Sequence, residues 1–425
     1  MPDARSAALE IVAALRSAGH ESYLAGGCVR DELLGLKPDD YDVATAARPD
    51  AVRSLFRSVS EVGVSFGVML VRQRGHVVEV ATFREEGAYT DARRPDQVRF
   101  STAEADARRR DFTVNALFLD PLDDSAPPPG RVIDFVGGLP DLARRLIRAV
   151  GAPDDRLAED HLRALRAVRL ASRLGFEIDP DTNAAIERHS SELRGVSRER
   201  IGDEARKMLG HRSRAVAAAR LQELGLDAPT LDEPPTRAPL TALHGLPADA
   251  SFPTALAAWS LDRLAARDGG PHADVSLLAP RLRRALCLSN DESAALRAVL
   301  EGVATLEGRW AAMGVAAQKR AAASDWFEPA LSIVSARSFP AAEAVRARRS
   351  ELAALGPGIA PAALLTGDDL IGAGLAPGPS FKRTLDAVYD AQLEGRVAGR
   401  DEALALALRL AAEASPRNPG GPASV

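Results

Sequence analysis

Cysteine is nearly absent from this chain. Cys28 and Cys287 are the only two in 425 residues, far apart and without the paired spacing of a zinc site. A disulfide scaffold and a structural zinc module are both excluded as expectations. Lysine is scarce as well: Lys37, Lys207, Lys319 and Lys382 stand among 54 basic residues, the rest being arginine. There is no excess of positive charge, since the formal net charge is -5. That removes a global basic field for nucleic acid, although a local patch is enough to hold RNA. No apolar run approaches the ~20 residues of a membrane helix. The opening MPDARSAALEIVAAL lacks the charged start and long apolar run of a signal peptide. The expectation is a soluble cytoplasmic protein with no membrane partner.

What is present is a hydrophobic fraction of 46%, normal for a globular protein, in a chain long enough for two to four domains. Leu9, Val12 and Leu15 fall at helical spacing within residues 5–18. Strands are expected at 22–25, around Asp40–Ala44, and at 66–72 and 76–83, the last two joined by a hairpin at Gly75. Helices are expected from Val29 and after Pro49. This alternation makes an α/β head of about 140 residues, a usual domain size. Beyond a proline-rich loop at 121–131 the pattern is helical nearly throughout, and the tail 416–425 is expected to be disordered.

The most informative stretch is LAGGCVRDELLGLKPDDYDVAT, residues 24–45. Gly26 and Gly27 allow a phosphate to approach the backbone, and Arg30 can neutralise it with a planar fork. If Asp40 and Asp42 lie in one strand, their side chains project to the same face. Two such carboxylates can hold Mg2+, which takes one or two carboxylates plus substrate phosphates. Two ions about 4 Å apart can activate an attacking hydroxyl and stabilise a leaving pyrophosphate. Glu79, in the apolar strand VVEVATF, is either a third carboxylate at the ions or an outward strand residue.

Two further clusters carry chemistry. Arg108, Arg109 and Arg110 run into the apolar segment DFTVNA, so part of the motif is held against a core and needs an anion. Asp111 and Asn115 are spaced to orient neighbouring groups on a helix. In EDHLRALRAVR, Asp160, Arg163, Arg166 and Arg169 recur at spacings of three and would share one helix face. A salt-bridged surface explains that pattern, and so does base reading. A carboxylate accepts from the exocyclic amine of cytosine or adenine while an arginine donates to the ring nitrogen. Uracil and guanine reverse that pattern and leave polar groups unpaired. His161 is expected on another side of the helix, and His244 and the other histidines form no metal-ligand cluster.

Seven stretches occur in order over about residues 20–210: LAGGCVRD, DDYDVAT, VEVATFR, RRDFTVNAL, VIDFVGGLPDL, EDHLRALRAVR and SRERIGDE. Together they resemble the bacterial tRNA nucleotidyltransferases, the class II CCA-adding enzymes related to bacterial poly(A) polymerases. A weaker likeness lies in LLTGDDL, APGPSFKRTL and AQLEGRV, while residues 211–355 carry no familiar motif. The resemblance implies a palm-type nucleotidyltransferase head over residues 1–140. It implies a helical, base-reading neck over 141–210, a helical body over 211–355, and a helical tRNA-binding tail over 356–415. It implies metal binding by Asp40 and Asp42 and triphosphate contacts from Gly27, Arg30 and Arg110. It maps base reading onto Asp160, Arg163 and Arg166, with Arg169 one turn on.

Several activities compete within that family. EVGVSFGVMLV looks like the CCA-adding version, since Val64-Ser65-Phe66 follows Gly63 where poly(A) polymerases tend to carry a doubly basic run. The polar connection 82–100 resembles a loop that CC-only enzymes tend to lack, which favours addition of the terminal A. The chain is also expected to lack the phosphohydrolase domain of some members. The expectation is therefore Mg2+-dependent addition of CCA to tRNA 3′ ends from CTP and ATP. A poly(A) polymerase, an enzyme adding A alone, and a non-catalytic RNA-binding nucleotide sensor are the alternatives.

Overall fold

The computed structural model of the chain describes residues 3–61, 67–86, 89–91, 94–95, 98–123, 125, 129–268, 277–375 and 377–414. Gly63 to Phe66 and the tail 416–425, on which expectations were placed above, lie outside the described residues. The chain divides into two compact units. One comprises Met1–Arg237 with Leu282–Cys287, the other Ala238–Arg281 with Leu288–Val425.

The first unit opens with α1 (Ala4–Ser17), β1 (Ser22–Ala25), α2 (Gly27–Leu33), β2 (Asp42–Thr45) and α3 (Pro49–Leu55). β3 (Val59–Glu61), β4 (Val68–Gln73) and β5 (His76–Thr82) follow. Two two-stranded ribbons follow, β6 (Arg84–Glu86) with β9 (Val98–Phe100), and β7 (Tyr89–Asp91) with β8 (Arg94–Pro95). Next come α4 (Ala103–Arg108), β10 (Phe118–Asp120), β11 (Arg131–Ile133) and α5 (Gly138–Arg144). Seven strands form one mixed sheet in the order β11-β10-β1-β2-β5-β4-β3. Among its pairs only β2 and β5 run parallel. All four residues of β1 are buried, because the strand is covered on both faces. Leu24 lies opposite Val43, and the buried side of α1, with Ile11, Val12 and Leu15, packs on these strands. On the other face Tyr23, Phe83 and Phe118 pack ring against ring with Ala25, Ala44 and Ala107.

The VIDFVGGLPDL stretch is a buttress. The Asp134 carboxylate accepts four backbone amides, those of Val136, Gly137, Gly138 and Leu139, at 2.9–3.1 Å. Gly138 touches the segment 112–116 so closely that a Cβ there would lie 2.3 Å from Thr113 O. Thr113 Oγ1 in turn donates to Asp141 Oδ2 at 2.7 Å.

Helices then dominate, interrupted by two short parallel strands, β12 (Leu146–Ile147) and β13 (Glu177–Ile178). The first unit continues with α6 (Pro153–Glu159), α7 (Leu162–Leu174), α8 (Pro180–His189), α9 (Arg198–Leu209), α10 (Arg214–Glu223) and α11 (Asp227–Leu231). The second unit contains α12 (Thr241–His244) and α13 (Phe252–Asp268). α14 (Leu278–Leu286) straddles the division. α15 (Asn290–Gly308), α16 (Val315–Ala322), α17 (Phe327–Arg337) and α18 (Phe339–Ala354) follow. α15 begins with a reciprocal cap between Ser289 and Glu292 and packs on α13 and α17. α19 (Gly367–Gly372), α20 (Pro379–Leu393) and α21 (Arg400–Ala414) enclose a smaller core of Leu365, Leu370, Val388, Ala391 and Ala403. Among the described residues no helix is long and apolar enough to cross a membrane.

Candidate active site

β1 ends at Ala25 and the chain turns at Gly26, whose φ of +81° lies where L side chains are disfavoured. Two arginines lie over this turn. A Cβ added to Gly26 would meet Arg110 Nη1 at 3.1 Å, and one added to Gly27 would lie 3.6 Å from Arg30 Nη2. Both guanidinium groups are held in place. Arg30 is buried, pairs with Asp31 at 2.6 Å, and donates through Nη1 to Asn115 Oδ1. Arg110 stacks on Phe118, donates to Asn115 O at 3.1 Å, and bonds Asp106 Oδ2 through Nε and Nη2. Asp106 also takes Arg109 at 2.6 Å. Burial alone would raise the Asp106 carboxyl, but the guanidinium groups of Arg110 and Arg109 outweigh it and hold it below the ordinary range.

Two of the carboxylates are neighbours on adjacent strands of the sheet. Asp42 lies opposite Ala25 on one side and Glu79 on the other, in parallel register. β2 begins only at Asp42, so Asp40 is not in the strand and reaches the same cleft from the segment before it. The residue between them explains this: Tyr41 is buried and its hydroxyl donates to Glu32 Oε1 at 2.7 Å, which pins the approach to β2. The Asp42 carboxyl is pushed up to about 7, first by burial, then by the charges of Glu79 and Asp40, with Arg110 opposing. Glu79 is raised by the same kind of crowding, burial first and Asp40 next, with Arg84 and Arg110 opposing. Glu79 stays exposed and lies beside Asp42 in register. Asp40, Asp42 and Glu79 line one cleft, and carboxylate oxygens without a nitrogen or sulfur donor suit a hard divalent cation such as Mg2+.

Asp160 also departs from the sequence expectation. α6 ends at Glu159 and α7 starts at Leu162, leaving Asp160 extended between them. A short polar side chain there bonds the backbone amide two residues on, an Asx-type turn that competes with continuing the helix. Its Oδ1 accepts the Leu162 amide at 3.1 Å, and its Oδ2 pairs with Arg200 at 2.6 Å. His161 likewise precedes α7. Arg163, Arg166 and Arg169 do follow one another along α7, each half-buried and each paired: with Glu159, Asp111 and Glu204, all at 2.6 Å. Asp111 is the joint between the ends of the site, since it also accepts from Asn115 at 3.1 Å. Its partner Asn115 closes a single 3-10 turn, not an α-helix. Burial would raise Asp111, but Arg166 and Asn115 hold its carboxyl down at about 2.

One cleft of about 1270 Å³ gathers Gly27, Arg30, Asp40, Asp42, Glu79, Arg110, Asp160, Arg163, Arg166 and Arg169. Gly26 lies beneath Arg110 and does not line it. Eleven basic and seven acidic side chains line the cleft, so its balance is positive in a chain whose net charge is -5. Arg84, Arg200, Arg206 and Lys207 belong to that lining and received no role from the sequence. The signal for Arg200 was its place in SRERIGDE. Arg200 and Glu204 sit four apart on α9, and each reaches a residue of the 160–169 motif. Contrary to the expectation that the histidines form no metal-ligand cluster, among the described residues His161, His189 and Glu192 come together at the start of α7, because the fold packs the end of α8 against it.

A mixed sheet carrying carboxylates on its parallel pair, followed by helical regions, defines the class: a nucleotidyltransferase head joined to helical domains. The Poly A polymerase head domain matches residues 22–148, and the probable RNA and SrmB-binding site of polymerase A matches 175–234. A CCA-adding enzyme of Limosilactobacillus fermentum is 33% identical over 403 residues, covering 91% of this chain and 92% of that one. The chain belongs to the family of CCA-adding enzymes. The CCA-adding enzyme of Levilactobacillus brevis is 44% identical over 211 residues, 49% of this chain and 51% of that protein. The chain thus spans about half the length of the first curated relatives it matches. A solved structure of the Bacillus stearothermophilus CCA-adding enzyme in complex with CTP superposes with a TM-score of 0.74 at 30% identity. It covers 96% of this chain and 98% of its own.

Proposed function

We propose that the chain is a template-independent tRNA nucleotidyltransferase that adds CMP, CMP and AMP, taken from CTP and ATP, to tRNA 3′ ends. The observation that carries this reading is a single cleft joining Asp40, Asp42 and Glu79 to the Asp160–Arg163 pair. The CTP bound in the related B. stearothermophilus enzyme supports it. The 3′-hydroxyl attacks the α-phosphate, the new O–P bond forms, and the bond to the β-phosphate oxygen breaks to release pyrophosphate. Two divalent ions, Mg2+ on this reading, would activate that hydroxyl and stabilise the leaving group. Asp40 and Asp42 would hold them, with Glu79 as a third carboxylate.

Arg30 and Arg110 hold the triphosphate above the Gly26–Gly27 turn. Their side chains are already fixed by Asp31, Asn115 and Asp106, so little rotamer freedom is lost on binding. Asp160 accepts the exocyclic amine of C or A, and Arg163 donates to the ring nitrogen, with Arg166 and Arg169 setting the arginine face. On this reading residues 1–140 are the catalytic head and 141–210 the neck. Residues 211–355 and 356–415 are the body and tail that grip the tRNA acceptor arm through shape and backbone contacts. The site of action is the cytoplasm.

One assay tests this reading. Full-length protein is incubated with tRNA lacking its 3′ end and with CTP, ATP or both, and the products are sized. Two C residues with CTP alone and a complete CCA with both are expected. A long A tail, A addition alone, or no product would each overturn it.

A further inference from the structure

His161 precedes α7, His189 ends α8, and Glu192 lies on the 3-10 turn that follows, Ser190–Gly195. A ligand atom from each of the three lies within 4.8 Å of the others. His161 Nδ1 is buried and makes no hydrogen bond, although Glu192 Oε2 is 3.3 Å away. His189 Nδ1 is 2.8 Å from the same oxygen. On its far side His189 Nε2 contacts Asp154 Oδ1 at 3.0 Å, and Asp154 is itself held by Arg188 at 2.8 Å. A carboxylate on Nε2 is the arrangement that orients a metal-bound histidine, because it fixes the Nε2 proton and turns the Nδ1 lone pair toward the ion. In that tautomer the two Nδ1 atoms and Glu192 Oε2 are three acceptors close together, a crowding that a shared proton or a bound cation relieves.

We propose that His161, His189 and Glu192 bind one divalent transition-metal ion of the zinc type, in a site separate from the carboxylates of the active cleft. The donor sets differ in kind. Two imidazole nitrogens and one carboxylate oxygen favour Zn2+, which binds nitrogen at about 2.0–2.1 Å, whereas the all-oxygen cluster at Asp40 and Asp42 suits Mg2+. The ion ties the end of α8 to the residue next to Asp160, so its structural effect is to fix the α6–α7 junction. Because sequence separates His161 from His189 by a whole helix, no spacing motif announces the site.

The test uses the full chain, stripped of metal and then titrated with Zn2+ and, separately, Co2+ in excess Mg2+. One equivalent of Zn2+ is expected to remain bound, with a visible Co2+ absorption of the intense kind given by low-coordinate nitrogen ligation. His189→Gln, half-buried, and Glu192→Gln, exposed, both checked for fold by circular dichroism, are expected to abolish both signals. Asp154→Asn weakens Zn2+ by about tenfold through the lost carboxylate, and Asp42→Asn leaves the signals intact. The proposal is overturned if no Zn2+ is retained against Mg2+, or if retention is lost in Asp42→Asn and kept in His189→Gln and Glu192→Gln.

Discussion

The two ends of the cleft are built on opposite electrostatic plans. At the sheet, Asp42, Glu79 and Asp40 crowd one another, and burial with mutual repulsion raises the Asp42 and Glu79 carboxyls. At α7, every charge has an opposite partner: Asp160 with Arg200, Arg163 with Glu159, Arg166 with Asp111, Arg169 with Glu204. Crowded like charges are unstable until a cation arrives, so that end is built to be completed by a ligand. Paired charges are stable as they stand, so the other end is fixed before any ligand binds, and on the proposed reading it is the template for base choice. Stability and function are opposed in the first region and aligned in the second.

The largest effect that sharpens this contrast is on turnover. Asp42→Asn is expected to cut CMP incorporation by about a thousandfold or more, since ion-assisted charge stabilisation is worth several kcal/mol. Retention within about tenfold, measured in single-turnover assays, would remove the metal assignment. The same variant should gain stability in the metal-free state, because it relieves repulsion.

Asp111→Asn should do the reverse, losing about 2 kcal/mol near neutrality by leaving Arg166 half-buried and unpaired. The pH dependences also have opposite signs. Asp111 is held at about 2, below its unfolded value near pH 4. Its contribution is therefore present above about pH 4 and is lost as pH falls toward about 2. Asp42 is raised to about 7. In the metal-free protein its contribution is present below about pH 4 and is lost as pH rises toward about 7. Denaturant unfolding at stepped pH should show each slope vanish in the corresponding variant. Parallel slopes in the two variants would break the contrast. A smaller effect, about tenfold in incorporation, is expected for Glu79→Gln, whose oxygen stays in place without its charge; no change would return Glu79 to an ordinary strand residue.

Much of this was legible in sequence because it is local. β1 falls at 22–25 as expected, the hairpin turns at Gly75, and the glycine pair sits under its arginines. Asp40 and Asp42 line one cleft, but not through strand alternation, since β2 begins at Asp42 and the buried Tyr41 pins the segment before it. The spacing of three in EDHLRALRAVR read as one helix, but Asp160 lies outside α7 and bonds the Leu162 amide from an extended link. What sequence hid is non-local pairing. Arg166 reaches Asp111 across 55 residues and Arg200 reaches Asp160 across 40. The short strands β10 and β11, three residues each, offer too little periodicity to register.

The separation of the two ends is tested most directly by comparing CMP and UMP incorporation into tRNA lacking its 3′ end, by wild type, Asp42→Asn and Asp160→Ala. Asp42→Asn should lose both nucleotides in equal proportion, keeping the ratio between them. Asp160→Ala should keep CMP incorporation measurable while shifting the ratio toward UMP by about tenfold or more, the worth of one unsatisfied polar group. An unchanged ratio in Asp160→Ala, or an equal shift in both variants, would contradict the assignment of chemistry to one end and base choice to the other.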